Sequence, residues 1–184
     1  MFNYPCVILC GGKSSRMGQD KTFLPYKNTN LINYQINKFE KIFNKVYINS
    51  KNNKFNFKNI ILDEDKNTFS PMLALYSVLK SFNNTLVFII CVDMPNISEN
   101  EIQKLLDFKN DANIIIPKTK DHKHSLCGFY HSSLANICKK FLDENKHKIS
   151  LLFNEKTRFI EFNDENKFIN LNFYKDYENW IHNE

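Results

Sequence analysis

Glycine is scarce in this sequence. Only four of the 184 residues are glycine, well below the roughly 7% that is usual in proteins. Three of the four, Gly11, Gly12 and Gly18, lie close together near the amino terminus. Glycine is needed where the backbone takes a positive φ or where a ligand approaches it closely. The clustering therefore favours a ligand-binding loop over the alternative, an ordinary turn with solvated basic residues.

Long apolar runs are also missing. No stretch of 18 uninterrupted apolar residues occurs, so we expect no membrane span and no membrane partner. The first residues, MFNYPCVIL, have neither a basic segment nor a small-residue cleavage site. They predict a first strand rather than a signal peptide, and hence a cytoplasmic protein.

Paired cysteine motifs and arginine-rich tracts are absent as well. The five cysteines are odd in number and none has CxxC spacing, which predicts buried, reduced thiols without a disulfide framework or a zinc site. The net charge of +5 is spread among mixed acids and bases and suits a small anionic ligand. Without an arginine-rich tract or an aromatic RNA-binding signature, we expect no nucleic-acid partner.

Apolar runs alternate with helix-period segments along the whole chain. Continuous apolar strands indicate burial on both faces, as in a parallel sheet covered by helices. We therefore predict a single domain, 1–184, with a three-layer α/β/α Rossmann-like fold and a mostly parallel central sheet. The predicted strands are 6–10, 45–49, 59–62, 86–92, 113–117 and 125–131, and the predicted helices are 30–43, 71–82, 98–107, 132–145 and a last one ending near Trp180.

The glycine cluster belongs to the stretch VILCGGKSSRMGQDK, residues 7–21. It is not a Walker A loop, because Val7 stands where that motif needs its first glycine. It is not a GxGxxG dinucleotide loop either, because the glycine spacing differs. It does follow a predicted strand, and α/β sheets bind ligands at the carboxyl ends of their strands. Arg16 can fork two phosphate oxygens and Lys21 can add charge, so the loop is predicted to bind phosphates.

A carboxylate follows another predicted strand, in LVFIICVDMP, where Asp93 precedes Met94 and Pro95. Parallel topology brings Asp93 to the same sheet edge as the glycine loop. A carboxylate among phosphates needs a cation, and Mg²⁺ is usually held by one or two carboxylates together with substrate phosphates. Asp93 is thus predicted to bind Mg²⁺, with Mn²⁺ as a substitute; alone, it could simply begin a proline turn.

The spacing GGxSxRMGxDK in LCGGKSSRMGQDK resembles the signature loop of nucleotidyltransferases, and most closely that of the molybdenum cofactor guanylyltransferase family. Cys10 replaces the alanine that is usual there, and VDMP resembles the family's CDxP motif. The resemblance implies that the loop wraps the triphosphate of GTP and that Asp93 binds magnesium. The GTP-binding residues that it implies in these two motifs are Leu9, Cys10, Gly11, Gly12, Arg16, Lys21 and Asp93.

Weaker matches extend the resemblance over nearly the whole chain. Asn49 and Asp63, which end two strands, fall at positions implied to bind the guanosine part of GTP; on sequence alone they could merely cap strands. In SPMLAL, Ser70 and Ala74 stand where the family has glycines, while Pro71 is retained.

The segments DHKHSLCGFY and FINLN resemble acceptor-side segments of the same family. They imply acceptor-binding roles for His124, Asn170 and Asn172. His122 and His124 are not predicted to be metal ligands. In so asparagine-rich a chain, the paired asparagines could also be a chance match.

The family implies transfer of GMP from GTP to molybdopterin, with release of pyrophosphate and formation of the guanine dinucleotide cofactor. Arg16, Lys21 and Asp93 are the expected catalytic residues. Transient contacts with molybdopterin-synthesis proteins and molybdoenzymes are implied by the family alone. Two alternatives remain open on the residues: a small nucleotidyltransferase that uses CTP or a sugar phosphate, and a non-catalytic GTP-binding module.

Overall fold

A computed structural model describes residues 1–11 and 17–182. Within them the chain forms nine strands: β1 Phe2–Leu9, β2 Pro25–Tyr26, β3 Thr29–Asn30, β4 Phe43–Ser50, β5 Ile60–Leu62, β6 Leu86–Cys91, β7 Ile114–Lys118, β8 Cys127–His131 and β9 Thr157–Glu161. The α-helices are α1 Leu31–Glu40, α2 Pro71–Leu79, α3 Glu99–Leu106, α4 Ala135–Asp143 and α5 Tyr174–His182. Short 3₁₀ turns cover Lys21–Phe23, Ser132–Leu134, Ile149–Leu152 and Glu165–Phe168.

The central sheet has seven strands in the order β5-β4-β1-β6-β8-β7-β9, and β2 with β3 forms a separate hairpin. β5, β4, β1 and β6 are parallel neighbours. β8 runs antiparallel to both β6 and β7, whereas β9 is again parallel to β7. The sheet is therefore mostly parallel, and the carboxyl ends of β1, β4, β5 and β6 meet at one edge.

Helices cover both faces of this sheet, as the continuous apolar strands predict. In β1, Cys6 and Ile8 belong to one apolar cluster, which includes residues of α1, α3 and α5. Val7 and Leu9 belong to the other, which includes residues of α2 and α4. Successive strand residues point to opposite faces, so a strand covered on both faces must be apolar throughout. The three-layer α/β/α prediction is confirmed.

Two helix starts follow from local sequence. Ser70 is the N-cap of α2, its hydroxyl accepts from the Leu73 amide at 3.3 Å, and Pro71 occupies the first helical turn. Ser98 and Glu101 form the capping box of α3, in which the Ser98 amide donates to Oε2 of Glu101 at 2.9 Å. Such caps satisfy amides that lack a partner within the helix.

The structure differs from the predicted elements in several places. α1 ends at Glu40, and Phe43 begins β4, where it pairs with Phe2. The predicted helix 132–145 begins with a 3₁₀ turn, and its α-helical part is Ala135–Asp143. β9, sequence TRFIE, has no continuous apolar run, because it lies at the sheet edge with one neighbour. Edge strands need less apolar character than central ones.

Gly128, the one glycine outside the loop, is required by close packing between two strands. A Cβ at this position would lie 2.3 Å from the carbonyl oxygen of Ile115 on neighbouring β7. β7 and β8 therefore approach too closely for any side chain at Gly128.

All five cysteines are free thiols, four of them buried. In the part of the chain that the structure describes, no helix is long and apolar enough to cross a membrane.

Candidate active site

Three strand ends lie side by side at the carboxyl edge of the sheet. Leu9 at the end of β1 is in register with Asn49 of β4 and Cys91 of β6. Just beyond, the Cys10 amide donates to the Asn49 carbonyl at 2.9 Å, and the Val92 amide donates to the Leu9 carbonyl at 3.1 Å. These bonds extend the sheet past its last pairs and hold the start of the glycine loop between Asn49 and Asp93.

The far end of the glycine loop returns to the same place. Lys21 begins a 3₁₀ turn that Asp20 caps by accepting from the Thr22 amide at 3.1 Å and the Thr22 hydroxyl at 2.6 Å. Lys54 forms an ion pair with Asp20. Burial alone would raise the pKa of Asp20, but the hydrogen bonds from Lys54 and Thr22 outweigh it and the pKa is lowered. Gly18, with φ +69°, makes the preceding turn.

Lys21 and Asp93, predicted from separate motifs, are in direct contact. The ammonium of Lys21 forms an ion pair with Oδ2 of Asp93, and Asp93 is only 6% exposed. Oδ1 of Asp93 is buried and has no hydrogen-bond partner among residues 1–11 and 17–182. Unpaired buried carboxylate oxygens are costly, and a hard oxygen donor is what Mg²⁺ prefers. The site thus fits a magnesium ion at Oδ1.

A protein-only metal cage is not part of this arrangement. Among the described residues, no group of three or more His, Cys, Asp or Glu side chains could hold a metal ion. Mg²⁺ bound at Asp93 would thus depend on substrate phosphates for further ligands, which is its usual mode in phosphoryl-transfer sites.

Sequence analysis did not identify the residues that hold the Asp93 turn. Gln35 of α1 is fully buried, and its amide donates to the carbonyls of Val92 and Met94, each at 3.1 Å. Lys38, one helical turn later, donates to the Pro95 carbonyl at 2.6 Å. Burial, with a smaller contribution from Lys167, lowers the pKa of Lys38 to about 8. A glutamine among apolar helix positions is the one signal that could have pointed to this support.

A cavity of about 260 Å³ lies beside the start of the glycine loop, and we call it the glycine-loop cavity. It is lined by Leu9, Gly11, Lys51, Asp63, Phe69, Ser70, Pro71, Ala74, Cys91 and Leu126. Leu9, Gly11 and Asp63, all predicted to bind GTP, thus line the same cavity. Cys10 does not line it: its side chain is buried, and burial raises the pKa of its thiol.

Asn49 supports Asp63 from inside the sheet. Its side-chain amide donates to Oδ1 of Asp63 at 2.9 Å and to the Ile61 carbonyl at 3.2 Å. The Asn49 side chain is buried, and its Oδ1 has no hydrogen-bond partner within the described ranges. Asn49 and Asp63, which the family resemblance assigns to the same part of GTP, are therefore in direct contact.

The two positions where glycine is expected, Ser70 and Ala74, both line the glycine-loop cavity. The Ser70 hydroxyl caps α2 and also forms a 2.9 Å hydrogen bond with Nδ1 of His147. Compared with glycine, the side chains of Ser70 and Ala74 take up space in this cavity, and neither replacement removes a charged group from it.

A second, larger cavity of about 770 Å³ lies on the other flank of β6, and we call it the histidine cavity. Asp93, His124, Asn170 and Asn172 all line it. The three predicted acceptor residues, which come from two distant segments, are therefore brought together with the predicted metal ligand.

His124 is held firmly within this cavity. Its Nε2 forms a 3.2 Å hydrogen bond with the Thr119 hydroxyl, and its ring stacks on Phe168 with centroids 4.9 Å apart. Burial, followed by the nearby His122, lowers the pKa of His124 below its usual 6.5. The imidazole is accordingly neutral at neutral pH.

The C-terminal segment is attached directly to the Asp93 turn. The Leu171 amide donates to the Asp93 carbonyl at 2.9 Å. Asp176 accepts from the Asn172 amide at 3.0 Å and the Phe173 amide at 2.8 Å, which fixes the end of the segment to α5. Asn170 and Asn172 are placed in the histidine cavity by this backbone pairing.

Cys91 and Leu126 line both cavities, so one wall separates them. Gly12 and Arg16, also predicted to bind GTP, lie outside the described residues.

Comparison with known proteins finds relatives of this chain along most of its length. A family model described as the MobA-like NTP transferase domain matches residues 6–157. A molybdenum cofactor guanylyltransferase of Campylobacter jejuni is 57% identical over 177 residues, which cover 94% of this chain and 93% of that protein. The protein of the same name from Helicobacter pylori is 31% identical, over 96% of this chain and 90% of that one.

Solved structures share the fold at low sequence identity. Molybdopterin-guanine dinucleotide biosynthesis protein A from Archaeoglobus fulgidus superposes with a TM-score of 0.80 at 18% identity, covering 97% of each chain. The 2-C-methyl-D-erythritol 4-phosphate cytidylyltransferase from Thermus thermophilus gives 0.72 at 10% identity, covering 98% of each.

Proposed function

Because this chain belongs to the MobA-like NTP transferase family, we propose that it transfers GMP from GTP to the terminal phosphate of molybdopterin and releases pyrophosphate. The observation that carries the proposal is the pair of cavities on either flank of β6, with Cys91 and Leu126 in their common wall. The Lys21–Asp93 pair lies at this strand end. A nucleotide in the glycine-loop cavity and an acceptor in the histidine cavity would meet there.

The reaction needs no protein base. A phosphate monoester is largely dianionic near pH 7, since its second pKa is about 6. An oxygen of the acceptor phosphate bonds to the α-phosphorus of GTP, and the bond from that phosphorus to the bridging oxygen breaks. The electron pair leaves with pyrophosphate. The protein has to position the two phosphates in line and stabilise the charge that develops on the leaving group.

Lys21 is the described residue that suits this task. Its ammonium has three donors, and the ion pair with Asp93 holds it at the strand end where the triphosphate binds. We assign Lys21 to the β- and γ-phosphates. Arg16 has the same proposed role. Mg²⁺, when bound at Oδ1 of Asp93, would neutralise phosphate charge.

The remaining site residues bind and orient. Leu9, Cys10 and Gly11 would contact the nucleoside through backbone atoms, and Gly12 would let the loop bend around the phosphates. Asp63 would bind the polar groups of the nucleoside, while the buried Asn49 orients Asp63. Cys10 contributes backbone only, because its side chain is buried. His124, neutral through burial, binds the acceptor together with Asn170 and Asn172.

The proposal also implies where the protein works. GTP is a cytoplasmic substrate, and five free cysteines suit a reducing compartment. Proteins that make molybdopterin and enzymes that receive the dinucleotide would contact this chain transiently.

A nucleotide-preference assay tests the proposal. Purified protein with Mg²⁺ and molybdopterin should release pyrophosphate over many turnovers with GTP, and far more slowly with CTP or ATP. A preference for CTP would favour the cytidylyltransferase alternative, which the shared fold with the Thermus thermophilus enzyme supports. Tight GTP binding without turnover would favour a binding module and contradict the proposal.

A further inference from the structure

Lys51 is the first residue after β4 and lies two positions beyond Asn49. Although it is a lysine, its side chain is only 15% exposed. Lysine is rarely buried unless its charge is compensated. The contacts of its ammonium therefore show which groups compensate the charge.

Those contacts lie in the connection from β5 to α2. Nζ of Lys51 donates to the carbonyl of Asp65 at 3.2 Å and to the carbonyl of Thr68. It also lies 3.5 Å from Oδ2 of Asp63 and 4.3 Å from the ring centroid of Phe69. One cation thus joins the end of β4 to most of the segment 63–69.

This segment forms a wall of the glycine-loop cavity, which Asp63, Phe69 and Ser70 all line. Contacts within the segment and to α2 also hold it. Asp65 accepts from the Asn67 amide at 2.9 Å and the Thr68 amide at 3.2 Å, and the Glu64 amide donates to the Ser77 hydroxyl at 2.9 Å. Without Lys51, the carbonyls of Asp65 and Thr68 would lose a charged donor.

Lys51 also lies beside the carboxylate of Asp63. Asp63 is 8% exposed, and its two oxygens are held from opposite sides by Asn49 and Lys51. A carboxylate offers about four acceptor positions, so capacity for a ligand donor remains after both contacts. The lysine compensates the charge of Asp63 while leaving it able to accept from a nucleoside.

We infer that Lys51 is a positioning residue for the nucleoside end of GTP, because it fixes Asp63 and the segment 63–69 around the glycine-loop cavity. The inference rests on the proposed function. It predicts that loss of the ammonium weakens GTP binding and leaves the chemical step and the acceptor cavity nearly unchanged.

Lys51→Met tests this role, because methionine keeps much of the apolar stem and lacks the charge. We expect the KM for GTP to rise about tenfold to hundredfold, the range set by losing a hydrogen bond to a charged group. The kcat and the KM for the acceptor should stay within about threefold, since a KM change at constant kcat marks lost binding rather than lost catalysis. The Kd of fluorescent GDP should rise in parallel with the KM.

Lys80→Met is the matched control. Lys80 forms an ion pair with Glu64 in the same segment, but its side chain is more exposed than that of Lys51, at 37% against 15%, and Lys80 does not line either cavity. Its KM for GTP should equal that of the unaltered protein. Lys51→Arg keeps the charge and should restore most of the affinity. A rise in the KM for GTP in Lys51→Met but not in Lys80→Met supports the inference. Equal KM values for GTP in the two variants would overturn it.

Lys51→Gln keeps the measurement decisive if Lys51→Met does not fold. Glutamine keeps a donor for the loop carbonyls but no charge for Asp63, so a raised KM for GTP is still expected. An unchanged KM for GTP in a folded Lys51 variant without charge would overturn the inference alone. If the unaltered protein neither binds GTP nor releases pyrophosphate, the proposed function fails, and the inference fails with it.

Discussion

The two cavities flanking β6 are built in different ways. The glycine-loop cavity lies where parallel strands end: Leu9 ends β1, and Lys51 and Asp63 directly follow or lie next to the ends of β4 and β5. Its other polar side chain, Ser70, caps α2. The histidine cavity lies next to antiparallel β8, and its residues come from the Asp93 turn, the segment 119–126 and the C-terminal segment 165–172. It is also about three times larger, at about 770 against 260 Å³.

This difference separates two ways of holding a substrate. In the smaller cavity, sheet pairing holds the polar strand ends, as when the Asp63 amide donates to the Ser50 carbonyl at 2.9 Å. In the larger one, a backbone bond from Leu171 to Asp93 and ring stacking of His124 on Phe168 hold the walls together. Changes in one cavity should therefore affect one substrate, whereas changes at the Lys21–Asp93 pair should affect the shared chemistry.

Lys21→Ala should have the largest effect. It removes the donor assigned to the leaving pyrophosphate, and loss of such a group typically lowers kcat by about 10²–10³. Multiple-turnover pyrophosphate release measures it, and circular dichroism checks the fold. Lys139→Ala, which breaks an exposed ion pair with Asp143 on α4, is the control and should turn over normally. Normal turnover by Lys21→Ala would refute the assignment.

Asp93→Asn should lower turnover by about the same factor as Lys21→Ala or somewhat less. Unlike that variant, its turnover should depend on the Mg²⁺ concentration. Asparagine keeps the size and one oxygen but drops the charge that attracts the metal, so raising Mg²⁺ should restore part of the rate while raising GTP should not. The measurement is pyrophosphate release against Mg²⁺ concentration. If Asp93 only begins a turn, a role in which asparagine is also favourable, the curves of both proteins will coincide.

Gly11→Ala tests whether a change in the glycine-loop cavity affects GTP alone. Among the described residues outside its chain neighbours, the atom nearest to a Cβ at Gly11 would be Oδ2 of Asp63 at 4.0 Å, so this part of the fold should tolerate it. The methyl group would instead occupy space in the cavity that the nucleoside uses. We expect the KM for GTP to rise about tenfold, a loss of roughly 1.4 kcal/mol, with the acceptor KM unchanged. Equal KM values for GTP would show that the nucleoside does not approach Gly11.

Asn170→Ala is the counterpart in the histidine cavity. The Asn170 amide donates weakly to the Phe168 carbonyl at 3.4 Å, so its removal should cost little stability. Loss of one neutral hydrogen bond to the acceptor predicts a rise of about threefold to tenfold in the acceptor KM. Asn44→Ala, at an exposed pair with Asn3, is the control. A higher KM for GTP in Asn170→Ala would contradict the division between the cavities.

The contrast also explains how much the sequence predicted. Burial on both faces forces the second half of β1 and all of β6 to be apolar, so the sheet and the placement of the glycine loop and Asp93 at one edge follow from pattern and topology. The ion pair between Lys21 and Asp93 is visible only in the structure. The family resemblance was needed for Asn170 and Asn172, because the hydrogen bond from Leu171 to Asp93 spans 78 residues (171 minus 93) and no local pattern encodes it. Gln35 and Lys51 were missed for the same reason, since their partners lie on distant segments.

Cys10→Ala should have the smallest effect, although Cys10 lies within the signature loop. Its thiol is buried and does not line the glycine-loop cavity, and the backbone amide makes the shorter of its two contacts with the sheet, 2.9 Å to the Asn49 carbonyl against 3.8 Å from Sγ to the Ile8 carbonyl. Alanine keeps that amide and is the residue usual in the resembled family, so both KM values and kcat should change by less than about twofold. The lost sulfur contacts should cost about 1 kcal/mol of unfolding free energy or less.

Because burial raises the pKa of the Cys10 thiol, the reactive thiolate is scarcer at pH 8 than for an ordinary cysteine. Iodoacetamide at that pH should therefore inactivate the unaltered protein no faster than the Cys10→Ala variant. Rapid inactivation that only the unaltered protein shows would mean that the side chain of Cys10, and not its backbone alone, faces the nucleotide.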